Sequence, residues 1–263
     1  MSAAWLDFYK REVEAESLLI MWLGQSGFAV KSSEGDILFI DPYLTDTISN
    51  GYRPYLHARM LPPVVECSEV SHLRAILYTH DHMDHMDPNT AVQLLWGTDA
   101  AVIASPPLCQ TTLKEKFRIP ETRLLPLAEY ASHKINSVTI TATPAHHSVG
   151  ALGFILEIGA LCLYFCGDTQ LFYTMKDIAA RWDIDTAFLC FNGQGGNMDI
   201  SSAVSLAGML HVREIVPTHY GMYVDNNAEP VLFKAALDKH FHEIGFHVMQ
   251  PGIPEVFTVR HQR

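Results

Sequence analysis

Residues 73–85 read Leu-Arg-Ala-Ile-Leu-Tyr-Thr-His-Asp-His-Met-Asp-His, an apolar run that ends in four metal-binding side chain types, His80, His82, Asp84 and His85. Leu73–Tyr78 is expected as a buried strand. Side chains two residues apart do not face each other on a helix, but they share a side where a chain leaves a strand extended. The spacing therefore predicts that His80 and His82 point at one metal. After a turn, Asp84 and His85 approach a second point beside it. Imidazole nitrogens and carboxylates suit zinc, and also manganese or iron. One strand tip cannot fill two sites, so further ligands are expected at other strand ends. Three segments qualify: Thr143-Pro144-Ala145-His146-His147-Ser148, Cys166-Gly167-Asp168-Thr169 and Pro217-Thr218-His219-Tyr220-Gly221, each directly after an apolar run. A site built this way requires those strands to end along one edge.

The remaining pattern supplies the strands. Leu18–Leu23, Phe28–Ser32 and Ile37–Ile40 are short apolar runs separated by glycine turns and read as a β-meander, after a short helix or tail over 1–16. Residues 42–70, rich in proline, read as a long loop of the kind that often carries function. Asp87-Pro88 is a helix start signal leading into 88–96. Strands are expected at 101–104, 137–143, 152–158, 161–166, 186–190, 214–217 and 247–249. Helices are expected at 106–116, 172–181, 200–210 and 229–240. Strands interleave with helices in both halves, which predicts an α+β sandwich of two sheets with helices outside, as one domain over 1–263.

The chain has 263 residues, 48% hydrophobic and 18% charged, a composition that can bury a large core without disulfides. Its net charge of −11 makes it a poor partner for nucleic acid or an anionic membrane. The five cysteines show no CxxC spacing and read as reduced, mostly buried thiols. Leu18–Leu23 is too short for a signal core or a membrane span, so the expected location is the cytoplasm.

Together, H-x-H-x-D-H, then Pro-Ala-x-His at 144–147, Gly-Asp-Thr at 167–169 and Pro-x-His-Tyr at 217–220 resemble the metallo-β-lactamase superfamily. The resemblance implies a four-layer αβ/βα sandwich with two divalent metal ions, Zn2+ or Mn2+, along one edge. His80, His82 and His147 resemble the ligands of one ion, and Asp84, His85 and His219 those of the other. Asp168 resembles the bridging carboxylate. Asp41, in Phe39-Ile40-Asp41-Pro42, resembles the acidic residue that orients a ligand histidine, although an Asx-Pro turn explains the same residues. Three further segments, 21–28, 192–198 and 219–223, resemble the ascorbate-6-phosphate lactonase-like branch. The likeness spans about residues 20–250.

This resemblance implies hydrolysis, with Asp84 both binding metal and taking the proton of the attacking water. Oxygen-reducing diiron members carry Glu where His82 stands, so His82 favours hydrolysis over redox chemistry. No G-x-S-x-G supports a serine nucleophile. The glycine-rich 193–197 lacks the Lys and Ser/Thr of a P-loop. A small, anionic sugar-acid lactone or related ester is the expected substrate. Candidate contacts are His146, Asn192, Asn197, Tyr220 and Arg53, with Tyr52, Tyr55 and Tyr223 able to meet a sugar-like ligand. Arg53, His57 and Arg59 read either as anion binders or as solvated loop cations. A phosphodiesterase or nuclease, and a non-enzymatic metal-binding sensor, are the rival readings. A face of the helix at 200–210 or 229–240 is a candidate for homo-oligomer pairing.

Overall fold

Two seven-stranded sheets stack face to face in the computed structural model, which describes residues 1–48, 58–103, 106–225 and 228–259. The first sheet holds β1 (Leu18–Gly24), β2 (Gly27–Ser32), β3 (Ile37–Ile40), β4 (Leu73–Leu77), β5 (Ala101–Ile103), β6 (Leu124–Leu125) and β14 (Pro254–Phe257). The second holds β7 (Ser132–Ile135), β8 (Val138–Pro144), β9 (Leu152–Ile158), β10 (Leu161–Phe165), β11 (Thr186–Cys190), β12 (Glu214–Thr218) and β13 (Gly245–Phe246). The orders are β14-β1-β2-β3-β4-β5-β6 and β13-β12-β11-β10-β9-β8-β7. In each sheet an antiparallel half passes into a parallel half, at β3 in the first and β10 in the second.

Alternation along the strands explains the layers. In β1, Leu18, Ile20 and Trp22 enter the core between the sheets, whereas Leu19, Met21 and Leu23 face the first outer layer. Both faces are buried, so the strand reads as a continuous apolar run. Helices α1 (Ala3–Lys10), α2 (Pro88–Gly97) and α3 (Pro107–Thr111) cover the first sheet through Trp5, Phe8, Ala91, Leu94, Leu95 and Cys109. Helices α4 (Lys176–Ala179), α5 (Ile200–Leu210) and α6 (Pro230–His240) cover the second through Ile178, Ala203, Leu206, Phe233 and Leu237. The result is the expected four-layer αβ/βα sandwich.

Most elements fall where the pattern places them, including the Asp87 cap, whose carboxylate accepts from the Asn89 and Thr90 amides. Four differ. The 106–116 helix stops as an α-helix at Thr111 and continues as a wider turn, closed by Phe117 N–H to the Thr112 carbonyl. The 172–181 helix is a 3-10 turn at Tyr173–Met175 running into the one-turn α4. Residues 247–249 are not a strand. The chain there leaves β13, crosses toward the first sheet with Met249 inserted into the inter-sheet core, and returns as β14 beside β1. Strands β6, β7, β13 and β14 lie outside the pattern because each is an edge strand with only one neighbour, the first and third just two residues long. Within the 42–70 loop, residues 49–57 lie outside the described residues. Among the described residues, no helix is long and apolar enough to cross a membrane.

Candidate metal centre

The ends of β4, β8, β10 and β12, with the β1–β2 hairpin and the end of β3, converge on one edge of the sandwich. Each turn there is tight. Gln25, Asp41 and His219 adopt left-handed backbone angles, φ 54°, 43° and 62°, which non-glycine residues rarely hold unless the surroundings enforce them. Gly167, between β10 and Asp168, has φ 62°, and a Cβ there would come within 2.9 Å of the Thr79 side chain. Glycine thus lets the β10 tip of the second sheet press against the β4 tip of the first.

Two groups of ligand-type atoms result. His80, His82 and His147 offer nitrogens that all lie within 4.8 Å of one another, and so do the ligand atoms of Asp84, His85 and His219. Asp168 stands between the groups. Its Oδ1 is 3.3 Å from His85 Nε2, and its Oδ2 is 3.1 Å from His219 Nε2 and 3.7 Å from His147 Nε2. The first sheet supplies His80, His82, Asp84 and His85, and the second supplies His147, Asp168 and His219.

A third close group, Asp41, His80 and His85, is a hydrogen-bond network. Asp41 Oδ2 accepts from His85 Nδ1 at 2.7 Å, and Asp41 Oδ1 accepts from the Thr79 amide at 2.8 Å. The Thr79 hydroxyl also donates to Asp41, and His80 Nδ1 lies 3.0 Å from that hydroxyl. These bonds occupy Nδ1 of both histidines and leave Nε2 facing the centre. His147 is steadied by a hydrogen bond to the Gly196 backbone. Asn197 Nδ2 donates to Asp168 Oδ2 at 2.8 Å, and Gln25 Nε2 to Asp84 Oδ2 at 2.8 Å.

The donor set fits divalent metal ions. His80 Nε2, His85 Nε2 and Asp168 Oδ1 are buried and make no well-aligned hydrogen bond, although the last two form an ion pair at 3.3 Å. Buried polar atoms are almost always well satisfied, so three that are not, gathered at one place, mark a place for a cation. The electrostatics agree. Burial, with help from His85 and His82, holds His80 well below its usual pKa, and burial likewise lowers His147, so both present neutral nitrogens. Burial opposes charge on His85 and His219, yet Asp168 and Asp84 outweigh it. His85 is driven well above its usual value and His219 to about 10. Burial would raise Asp84 and Asp168, but the two histidines outweigh it and lower both. Without metal, protons on His85 and His219 supply the positive charge that the buried carboxylates require.

The centre floors an open pocket of about 210 Å³ whose wall includes Ile48, Gln194, Gly195, Asn197 and Tyr223. Of the expected substrate contacts among the described residues, Asn197 and Tyr223 reach it, and Asn197 also holds Asp168. His146 stacks flat on Phe172, ring centroids 3.8 Å apart, outside the pocket wall. Asn192 lines a separate cavity of about 720 Å³ with Asp199, Ile200, Val204 and Phe241. Tyr220 stacks on Trp22 at 4.9 Å, where burial pushes its phenol up to about 12. These side chains sit against Phe172, against Trp22 and in the cavity beside α5 instead of in the wall above the metal ligands. Arg53, His57, Tyr52 and Tyr55 lie outside the described residues. Arg59 is neither solvated nor in the pocket: its guanidinium donates to the Tyr43, Thr45 and Leu61 carbonyls and sits over the Tyr43 ring at 4.4 Å. Sequence reasoning missed Thr79 and Gln25, although both stand inside motifs that it singled out. The signal was a hydrogen-bonding residue beside a ligand and one inside the Gly24–Gly27 turn.

The fold and this edge define a class, the metal-dependent hydrolases of the metallo-β-lactamase superfamily. The model of the beta-lactamase superfamily domain matches residues 38–220, and the chain belongs to that superfamily. A UPF0173 metal-dependent hydrolase of Pyrobaculum arsenaticum is 32% identical over 237 residues, covering 89% of this chain and 97% of that one. Its counterpart in Rubrobacter xylanophilus is 28% identical over 251 residues, with 89% and 94% covered. Among solved structures, Igni18, a metallo hydrolase from Ignicoccus hospitalis, superposes with a TM-score of 0.72 at 23% identity, covering 93% of this chain and all (100%) of that one. The diiron β-hydroxylase CmlA of Streptomyces venezuelae superposes with a TM-score of 0.68 at 13% identity, covering 95% of this chain and 55% of that one. Both structural likenesses show the fold alone, and that one fold carries both hydrolysis and oxidation means the reaction must be argued from the site.

Proposed function

We propose that this chain holds two divalent ions, Zn2+ or Mn2+, and hydrolyses a lactone or related ester of a small sugar acid, phosphorylated or not, in the manner of ascorbate-6-phosphate lactonase. The observation that carries the reading is the pair of ligand groups sharing Asp168 beneath a small open pocket. Such ions acidify a water and stabilise charge on the attacked carbonyl oxygen. The protein's own part is positional. Asp41 and Thr79 fix the rings of His85 and His80. Asn197 holds Asp168. Asp84, at the pocket floor and partly exposed, is the group that takes the water's proton. Gln194 and Tyr223 offer the substrate an amide and a ring. Among the described residues the pocket wall has no lysine or arginine, which suits a small polar substrate better than a polyanion. The five free, buried thiols fit a reducing compartment, and the cytoplasm is part of the same proposal.

The test strips the purified chain with a chelator and reloads it separately with Zn2+ or Mn2+. It is then assayed on phosphorylated and plain sugar lactones, carboxylic esters and model phosphodiesters. Preferential lactone turnover is expected. Faster diester turnover would move the chain to the phosphodiesterases, and a loaded protein inert to the whole panel would make it a metal-binding protein without this activity.

A further inference from the structure

Gln25 is a neutral side chain that reaches into the group formed by Asp84, His85 and His219 from a tight turn of a different strand pair. It occupies the two-residue loop of the β1–β2 hairpin, fully buried, with φ 54°. Its backbone carbonyl accepts from the His219 amide at 3.1 Å and from the Trp22 indole at 3.0 Å. Its carboxamide Nε2 lies 2.8 Å from Asp84 Oδ2 and 3.1 Å from His219 Nε2. Donor chemistry fixes the amide's orientation, because turning it over would set a carbonyl oxygen against the Asp84 carboxylate. The other amide atom, Oε1, is buried without a hydrogen-bond partner. An amide kept only for packing would leave neither atom so placed, since an unsatisfied buried carbonyl costs about 1–3 kcal/mol.

We propose that Gln25 is a positioning residue of the second metal site: by holding Asp84 through its side chain and His219 through its backbone, it fixes two ligands from opposite sheets in one ligating geometry. The proposal rests on the dinuclear reading above. Asp84 Oδ2 is the oxygen that stands 3.4 Å from His219 Nε2 and 3.7 Å from His85 Nε2. The Gln25 bond to this same atom keeps it turned toward the two histidines and sets the carboxylate's rotamer. The group formed by His80, His82 and His147 makes no contact with the carboxamide among the hydrogen bonds of the described residues. The loss of that carboxamide is therefore selective between the two sites.

Gln25→Met keeps the length and bulk of the side chain, removes the donor and leaves the backbone carbonyl untouched. The full chain and the variant are stripped, dialysed against graded free Mn2+, and analysed for bound metal by elemental mass spectrometry. Thermal midpoints are measured in parallel, and Co2+ absorption spectra report coordination. The expected result is a first equivalent bound as in the parent and a second bound roughly 10–100-fold more weakly, the usual cost of losing a ligand's supporting bond. The Co2+ spectrum of the second equivalent should change while the metal-free midpoint stays near the parent's. If Gln25→Met does not fold, Gln25→Asn, which keeps the amide but falls short of Asp84, carries the same expectation. A folded variant that binds both equivalents at parental affinity overturns this inference alone. Equal weakening of both equivalents also overturns it, because that is the mark of a general structural role. A parent that binds fewer than two equivalents overturns the dinuclear reading and this inference with it.

Discussion

Asp84 is asked to do two things, and its surroundings set what each would cost to lose. It contributes an oxygen beside His85 and His219, and it faces the pocket. Asp84→Asn keeps the shape and one carbonyl-type oxygen but removes the base. Turnover should fall by roughly 10²–10⁴-fold, the range general-base catalysis supplies, measured as kcat with bound metal quantified in the same sample. Undiminished turnover with full metal occupancy would refute the base role. The same cluster sets a pH dependence. In the metal-free chain His219 is raised from 6.5 to about 10. A raised histidine stabilises the fold fully below its unfolded value and loses that contribution as pH climbs through the folded one. The thermal midpoint of metal-free protein should therefore decline between pH 6.5 and about 10, and His85, shifted in the same direction, adds to it. Asp84 and Asp168 are lowered, so their contribution is present above about pH 4 and fades only in stronger acid. Metal displaces the histidine protons, so metal affinity should rise over the same alkaline range. A flat metal-free midpoint across it would contradict the protonated-histidine account.

Strand tips do the assembling, and their backbone is where a small change reaches the centre. Gly167→Ala would set a methyl 2.9 Å from the Thr79 side chain and 3.1 Å from the Leu152 carbonyl at φ 62°. The strained conformation and the clash should cost about 1–3 kcal/mol, read from denaturant midpoints. Because Thr79 carries the Asp41 network and Gly167 precedes Asp168, metal affinity should drop as well. Stability lost without any loss of metal affinity would separate the tip from the centre. The elements that proved legible from sequence share a physical cause. Strands buried on both faces, such as β1 and β10, appear as unbroken apolar runs, and α2 announces itself through Asp87-Pro88. The ligands at the ends of β4, β8, β10 and β12 were visible because a charged or imidazole group directly after an apolar run has few other reasons to be there. What escaped was set by partners distant in sequence. Edge strand β14 alternates weakly and gains its place only by pairing with β1 from the far end of the chain. His146 and His147 are chemically alike and adjacent, and only the turn decides that one stacks on Phe172 while the other faces His82. Thr79 bonds the ligand-orienting Asp41, 38 residues away, and Gln25 and Asn197 bond the candidate ligands Asp84 and Asp168, 59 and 29 residues away.

At the scale of the whole molecule the centre is a clasp at one edge of two sheets whose shared interior is apolar. Four candidate ligands come from the first sheet and three from the second. Backbone bonds such as Leu152 N–H to Thr79 and His219 N–H to Gln25, with the Gln25 carboxamide against the His219 ring, accompany them across that edge. Divalent ions bound there link the sheets and bind the native state alone, so they add stability by mass action, about 2.7 kcal/mol at a hundredfold excess over Kd. For a chain of this size 1 kcal/mol moves the thermal midpoint by roughly 2–4 °C. Chelation should therefore lower it by roughly 5–11 °C, and adding Zn2+ or Mn2+ should restore it. The loss should also be local. Amide hydrogen exchange should quicken at the tips, around residues 79–86, 145–152, 167–170 and 219–222. Strand centres such as Ile20 and Leu163, locked in the two-sided core, should stay protected, because apolar packing there is independent of the edge. Uniform deprotection of both sheets on chelation would mean instead that the ions hold the entire sandwich together. An unchanged midpoint with metal demonstrably removed would mean that the paired histidines and carboxylates close the edge equally well on their own.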